Sequence, residues 1–294
     1  MKSILPDFFY YNLFIGILPV LAAVLLAGCG ADEQIKGLPS ESFAASEQAA
    51  QQETEPIKYT ESELSAFDNT IQNWGQGVQF NGDNQPQSSI DFQQKYASFR
   101  ADFIGPQEQA VWLTFDEGYE NGYTETILDT LKEKNCPAVF FITGQYAREN
   151  PVLIKRMIAE GHAVGSHSWA HPSGGMPSLS IEKQTQDLDM LHQYVKDTYG
   201  YNMTLFRFPA GIFSEQSLAV AQSFGYRSLF WSFAYADWDP EKQTAPAQAL
   251  AKLEERLHPG SIYLLHAVSA TNAKILGDFI DYSRNAGYVF ELPE

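Results

Sequence analysis

The sequence predicts an α/β protein whose core is a parallel sheet of seven strands alternating with helices and curled toward an incomplete barrel. Three observations carry this reading. From Ala110 onward, short β-prone runs alternate with runs of helical periodicity. Each helix returns the chain to the same edge direction, so the strands are parallel. Ionisable residues stand at five strand ends, where parallel α/β folds keep their working groups. An open doubly wound sheet is the alternative. No glycine-rich dinucleotide fingerprint follows any strand, which removes the commonest function of that form.

In order, the first strand is Ala110–Phe115, a run that stops at Asp116-Glu117-Gly118. Thr124 opens a helix through Lys134 with Ile127, Leu128 and Leu131 on one face. Ala138–Ile142 is the second strand. Asn150-Pro151 reads as an N-cap with proline at the first helical position, the helix running to Glu160 and ending at Gly161. His162–Ser166 is the third strand. Ile181–Tyr199 is a long helix with Ile181, Leu188, Leu191 and Val195 at helical spacing, ended by Gly200. Thr204–Phe208 is the fourth strand, followed by a helix from Ser214 to Phe224 that Gly225 closes. Tyr226–Trp231 is the fifth strand and Pro246–Leu257 the next helix, stopped by His258-Pro259-Gly260. Ser261–Leu265, a helix over Asn272–Asn285, and Tyr288–Glu291 complete the pattern.

The 109 residues before this alternation divide into three. Residues 1–28 read as a secretory signal, with Lys2 ahead of the apolar run Phe8–Gly28. An uncleaved membrane helix is the alternative, since about 20 apolar residues can span a bilayer. Residues 29–59 are rich in Gln, Glu, Ser and Ala and bury too little to offset their ordering entropy, so they read as a disordered tether. Residues 60–109 read as an extension capping the main domain, residues 110–294. Glu61–Trp74 is a short helix, Asn81–Pro86 is turn chemistry, and Ile90, Phe92, Tyr96 and Phe99 are placed to pack on the main domain. The formal charge of −17 and the absence of a basic stripe exclude nucleic acid as a partner.

The ionisable residues at the strand ends are Asp116 and Glu117, His167 and His171, Arg207, Asp237 beside Trp238, and His266. Pro172 and the glycines after it put the histidine pair on a loop or a single turn. Two imidazoles and a carboxylate, here Glu117, suit zinc or a similar cation with positions left open for water. His162 and His192 read as structural or solvated, His258 as a turn residue, and Cys136 as a buried apolar residue. Trp231, Tyr235 and Trp238 are either core or the lining of a sugar cleft.

As an ordered set these residues resemble the polysaccharide deacetylase family. Thr114-Phe115-Asp116-Glu117-Gly118 is similar to its T-F-D-D-G motif, and His167-Ser168-Trp169-Ala170-His171 to its H-[ST]-x-x-H motif. Arg207-Phe208-Pro209 resembles its R-x-P motif, Asp237-Trp238 its D-W segment, and Leu264-Leu265-His266 its L-x-H motif. The likeness covers about residues 105 to 294. Gly118–Thr124, Phe213-Ser214 and Tyr263–His266 are further similar to the branch that deacetylates muramic acid on the way to muramic δ-lactam. Leu26-Ala27-Gly28-Cys29 resembles the lipobox of bacterial lipoproteins.

The resemblance implies a distorted (β/α)7 barrel with an N-terminal extension and hydrolytic removal of N-acetyl groups from peptidoglycan glycan strands. N-Acetylmuramic acid is the expected substrate. The alternatives are N-acetylglucosamine in peptidoglycan or another glycan, and a silent glycan-binding protein. It implies Asp116 as general base, Arg207 as its holder, and His266 as general acid oriented by Asp237. A divalent metal, zinc by expectation, would sit on His167, His171 and Glu117. A backbone N–H near Ala210 would support the oxyanion, and Trp238 would meet the sugar. Cleavage before Cys29 and lipid on its sulfur would hold a monomer at the outer face of the membrane. Two residues depart from the pattern: Glu117 stands where the family has aspartate and the δ-lactam branch asparagine, and Ala210 replaces the usual aromatic.

Overall fold

The computed structural model describes residues 57–294 except Gln107. The signal segment, Cys29 and all but the last residues of the expected tether lie outside the described residues. The extension holds α1 (Glu61–Ala66), β1 (Gln72–Asn73), α2 (Gln87–Tyr96) and β2 (Ala101–Asp102). Next come β3 (Ala110–Glu117), α3 (Thr124–Glu133), β4 (Val139–Ile142), α4 (Gly144–Glu149), α5 (Pro151–Ala159), β5 (Ala163–Ser166), α6 (Ile181–Tyr199) and β6 (Leu205–Phe206). The chain continues through β7 (Ile212–Phe213), α7 (Glu215–Ser223), β8 (Arg227–Leu229), β9 (Phe233–Ala234), α8 (Pro246–Glu255), β10 (Ser261–His266), α9 (Ala270–Asn285) and β11 (Val289–Phe290).

One parallel sheet runs β2-β8-β6-β5-β4-β3-β10-β9. β8 and β9 stand near its two ends yet are separated by only a few residues of chain. Across that stretch Phe230 N–H donates to the Asp102 carbonyl and Ser232 N–H to the Ile262 carbonyl. The curled sheet is thus closed by continuous chain rather than by a strand ladder, which is the distortion of this barrel. The expected seventh strand does not add a stave. β11 pairs with the start of β3, at Ala110 and Val111, whereas β4 pairs with its end, from Thr114 to Glu117.

β3 is the axis. All eight of its residues are buried, and β10 runs beside it in register from Ser261↔Val111 to His266↔Asp116. Parallel partners at one level point their side chains to the same face. That register alone brings the expected acid and base to one rim.

The helices form where their sequences direct. Ser180 caps α6 by accepting from Lys183 N–H, Leu188, Leu191 and Val195 are buried, and Gly200 ends the helix at φ 65°. Pro151 opens α5 as expected, but the Asn150 side chain makes no capping bond there. It reaches back to the Tyr146 carbonyl because a further short helix, α4, precedes it, capped by Thr143. Glycine at the start of α4 hid it from the periodicity. Gly144 is needed there for space: a Cβ would stand 2.5 Å from the Trp169 ring.

The extension is stitched into the barrel. β2 adds to the sheet beside β8, and β1 pairs antiparallel with β7. Trp74, Phe92, Tyr96 and Phe103 pack with Phe213 and Phe230 in one aromatic cluster, Phe103 and Phe230 stacking at 4.2 Å. Such pairs add about 0.5–1.5 kcal/mol each beyond the apolar area they bury.

Candidate active site

The upper rim opens into a cleft of about 850 Å³. Asp116, His167, His171, Ala210, Trp238 and His266 all line it. Sheet topology explains the convergence, since these residues end β3, β5, β6, β9 and β10 or begin the loops beyond them.

Asp116 is held on one side and free on the other. Arg207 Nη1 donates to its Oδ1 at 2.9 Å, and Oδ2 lies 3.5 Å from His167 Nε2. Arg207 is wholly buried. Nη1 also donates to Thr114 Oγ1 at 2.7 Å, Nε to the Leu229 carbonyl at 2.9 Å and Nη2 to the Phe230 carbonyl at 3.1 Å. The guanidinium carbon lies 4.2 Å from the centre of the Phe141 ring. A charge so fully bonded has one orientation. Burial disfavours ionisation of Asp116, yet His167, Arg207 and His266 outweigh it and hold the carboxyl below its ordinary range.

The neighbouring strand, β10, carries the second pair. Asp237 Oδ1 accepts from His266 Nδ1 at 2.7 Å, and its Oδ2 accepts from the His266 backbone N–H at 2.8 Å. This fixes the tautomer and leaves Nε2 for chemistry. Burial lowers the His266 pKa, but the Asp237 hydrogen bond and charge, with Asp116, raise it above the ordinary histidine value. Asn272, which the sequence did not single out, donates to Asp237 Oδ2 at 2.6 Å. It lies in the first turn of α9, where its backbone N–H is capped by Ser269; polarity at a helix start carries no catalytic signal.

His167 and His171 come together, with ring centres 4.9 Å apart. His167 Nδ1 donates to the Arg207 carbonyl at 2.9 Å, which leaves the Nε2 lone pair toward Asp116. Burial lowers its pKa to about 4, so the ring is neutral near pH 7. The loop between the histidines is tight, with positive φ at Ser168 (70°) and His171 (47°). Asp187, on α6, pins it by accepting the Trp169 and Ala170 N–H groups at 2.9 Å each. This buried carboxylate also went unnoticed in the sequence, where it is one polar position of a long helix.

Glu117 corrects the expected ligand set. β3 extends two residues beyond the expected end at Phe115, so Asp116 and Glu117 are successive strand residues and face opposite ways. Asp116 lines the cleft; Glu117 does not. It is completely buried, with neither carboxyl oxygen hydrogen-bonded. Burial, then Glu120 and Asp116, push its pKa well above the ordinary value. Among the described residues no three His, Cys, Asp or Glu side chains are grouped to hold a metal ion. The three-ligand site the sequence suggested therefore does not fit. Glu117→Gln is expected to keep activity and metal content within about threefold of wild type, because the amide keeps the shape of a side chain that makes no hydrogen bond and does not line the cleft. Elemental analysis and acetate release check this; a tenfold or larger loss of bound metal would return Glu117 to the ligands.

The remaining histidines are structural. His258 is no surface turn residue: it is fully buried, its Nε2 2.8 Å from Ser232 Oγ. Ser232 also accepts from Ile262 N–H, so His258 braces the stretch that closes the barrel. His162 is buried beside the Ala138 N–H, and His192 bonds the Tyr226 hydroxyl. Trp231 lines the cleft at 8% exposure and Tyr235 lines it too, whereas Trp238 is 58% exposed, its ring centre 6.2 Å from that of His266.

A carboxylate and an oriented imidazole side by side on adjacent strands, both lining a sugar-sized cleft of a parallel barrel, define a hydrolase that works by general base and general acid. The sequence profile described as Polysaccharide deacetylase matches residues 104–229. The chain is 39% identical to the peptidoglycan-N-acetylmuramic acid deacetylase PdaA of Bacillus subtilis over 67% of its own length and 74% of that protein's. It is 42% identical to an uncharacterized 30.6 kDa protein of Geobacillus stearothermophilus, over 73% of this chain and 82% of the relative. The solved structure of Bacillus subtilis PdaA, a family 4 carbohydrate esterase, superposes with a TM-score of 0.72 at 35% identity, covering 76% of this chain and 96% of that one. The chain belongs to the polysaccharide deacetylase family.

Proposed function

We propose that this enzyme hydrolyses the N-acetyl groups of peptidoglycan amino sugars, with N-acetylmuramic acid its principal substrate. The observation that supports this most is the pairing of Asp116–Arg207 with His266–Asp237 on adjacent strands facing one cleft. In this reading Asp116 Oδ2 takes a proton from water as its oxygen attacks the acetyl carbonyl. The backbone at Ala210 lines the cleft and supports the tetrahedral oxyanion. His266 Nε2 then gives its proton to the departing nitrogen, and acetate and the free amine remain. Asp237 holds the imidazolium that makes this possible. Trp238 takes the apolar face of a sugar ring.

Deacetylases of this family are generally metal-dependent. Of the expected set only His167 and His171 face the cleft, and zinc is the ion that two imidazoles suit best. When bound it would polarise water and the acetyl carbonyl. The base and the acid, Asp116 and His266, are the chain's own.

Mass spectrometry of peptidoglycan fragments after incubation with the enzyme tests the reading. A loss of about 42 mass units, acetyl replaced by hydrogen, is expected on muramic acid. Loss on glucosamine instead would move the substrate, and loss on neither would leave a glycan binder.

The substrate lies outside the cytoplasm, and we place the enzyme there, held at the membrane by lipid on Cys29. No helix among the described residues is long and apolar enough to cross a membrane. Cys29→Ser is expected to abolish fatty-acid labelling and impair processing; equal label on variant and wild type would remove the anchor.

A further inference from the structure

The cleft-lining stretch from Trp231 to Ala234 is held by a segment that precedes the family profile, which begins at residue 104. β1 pairs with β7, and Trp74 N–H donates to the Gly211 carbonyl at 2.9 Å. Trp74 Nε1 donates to the Trp231 carbonyl at 3.0 Å. Gln76 then spans two cleft-lining residues with one side chain. Its Oε1 accepts from Trp231 Nε1 at 3.1 Å, and its Nε2 donates to the Ala234 carbonyl at 3.0 Å. The Gln76 carbonyl is itself bonded by Ser88 at the start of α2. Packing is tight at this point: a Cβ on Gly211, at φ 68°, would stand 2.7 Å from the Trp231 ring and 3.2 Å from Trp74 Cβ.

Gln76 does not line the cleft, while Trp231, Ala234, Tyr235 and Trp238 do. A primary amide that satisfies one wall residue's indole and another's carbonyl fixes both at once. Neither group has freedom to rotate while both bonds stand.

We propose that Gln76 is a specificity-determining positioning residue, holding the Trp231–Trp238 wall in the shape that receives the sugar ring. It acts through Trp231 and Ala234 and touches neither base nor acid. Its contribution therefore lies in glycan binding and not in the chemical step. This inference rests on the proposed glycan reading of the cleft.

The test uses the full-length chain and N-acetylated glycan strands, comparing wild type with Gln76→Ala and Gln76→Glu. Loss of the paired hydrogen bonds in Gln76→Ala is expected to raise KM by about three- to tenfold, with kcat held within about twofold. Gln76→Glu keeps the acceptor for the Trp231 indole, so its KM is expected to fall between the two. Thermal midpoints are measured alongside, Trp74 and its aromatic neighbours keeping the segment seated. An unchanged KM in Gln76→Ala, a loss confined to kcat, or a lowered midpoint without a KM effect would each overturn the proposal. Glycan dissociation constants, read by intrinsic tryptophan fluorescence, separate it from the reaction. Wild type that binds glycan without releasing acetate sinks the deacetylase reading, and a Gln76→Ala affinity loss in that binding assay still supports the positioning role.

Discussion

Asp116→Asn is expected to lower kcat by at least about a hundredfold and to leave the fold intact. The substitution keeps size and shape. Arg207 Nη1 still finds an oxygen at 2.9 Å, since the amide presents its carbonyl to the guanidinium. What vanishes is the lone pair on the Oδ2 side, the only one facing the cleft without a strong partner. The pH dependence sharpens the test. In wild type, activity falls as pH drops through the Asp116 pKa, which the surrounding positive groups lower, and falls again as pH rises through the His266 pKa, which Asp237 raises. The two directions move the limbs apart and widen the plateau between them. The residual activity of Asp116→Asn should lose the acid limb and keep the alkaline one. Acetate release against pH, with a thermal midpoint for each variant, measures both. A folded variant at full activity would assign the base to another group.

The alternation of strands and helices was legible because it depends on local chemistry, and the pairs at the cleft because the family resemblance implied them. Short β-prone runs bounded by helix caps fixed most of the barrel, and motif spacing delivered Asp116, Arg207, Asp237 and His266 to one rim. Glu117 was misread for a physical reason of one residue's width. In a strand each step reverses the face, so placing the end of β3 at Phe115 instead of Glu117 was enough to turn a buried carboxyl group that does not line the cleft into an apparent ligand. Asp187, Asn272 and Gln76 were invisible for a different reason. Each acts across a long sequence separation on a backbone group or on another side chain, and nothing in its own neighbourhood marks it. His258 shows the same limit in reverse: Pro259-Gly260 announces a turn, and only the crossing chain at Ser232 reveals why the ring beside it is buried.

Arg207→Met is expected to be the most damaging single change in the site, to stability and to activity together. Methionine fills much of the volume and keeps contact with Phe141, but it leaves a buried carboxylate without its partner. Breaking a buried ion pair from one side costs about 3–5 kcal/mol. The carbonyls of Leu229 and Phe230 lose their donors as well. Asp116 then loses the charge that helps hold it ionised, so its pKa rises and the acid limb of the activity profile moves to higher pH. The double variant Asp116→Asn, Arg207→Met separates the two effects. Removing the stranded carboxylate should recover part of the lost stability while activity stays at the Asp116→Asn level. Denaturant unfolding of the four proteins in this cycle measures the coupling. If the double variant is as unstable as the additive sum, the guanidinium serves the barrel through its carbonyl bonds, and Asp116 is held by something else. If it regains stability, the Arg207–Asp116 pair is the joint where the fold of the barrel and the base of the reaction are one structure.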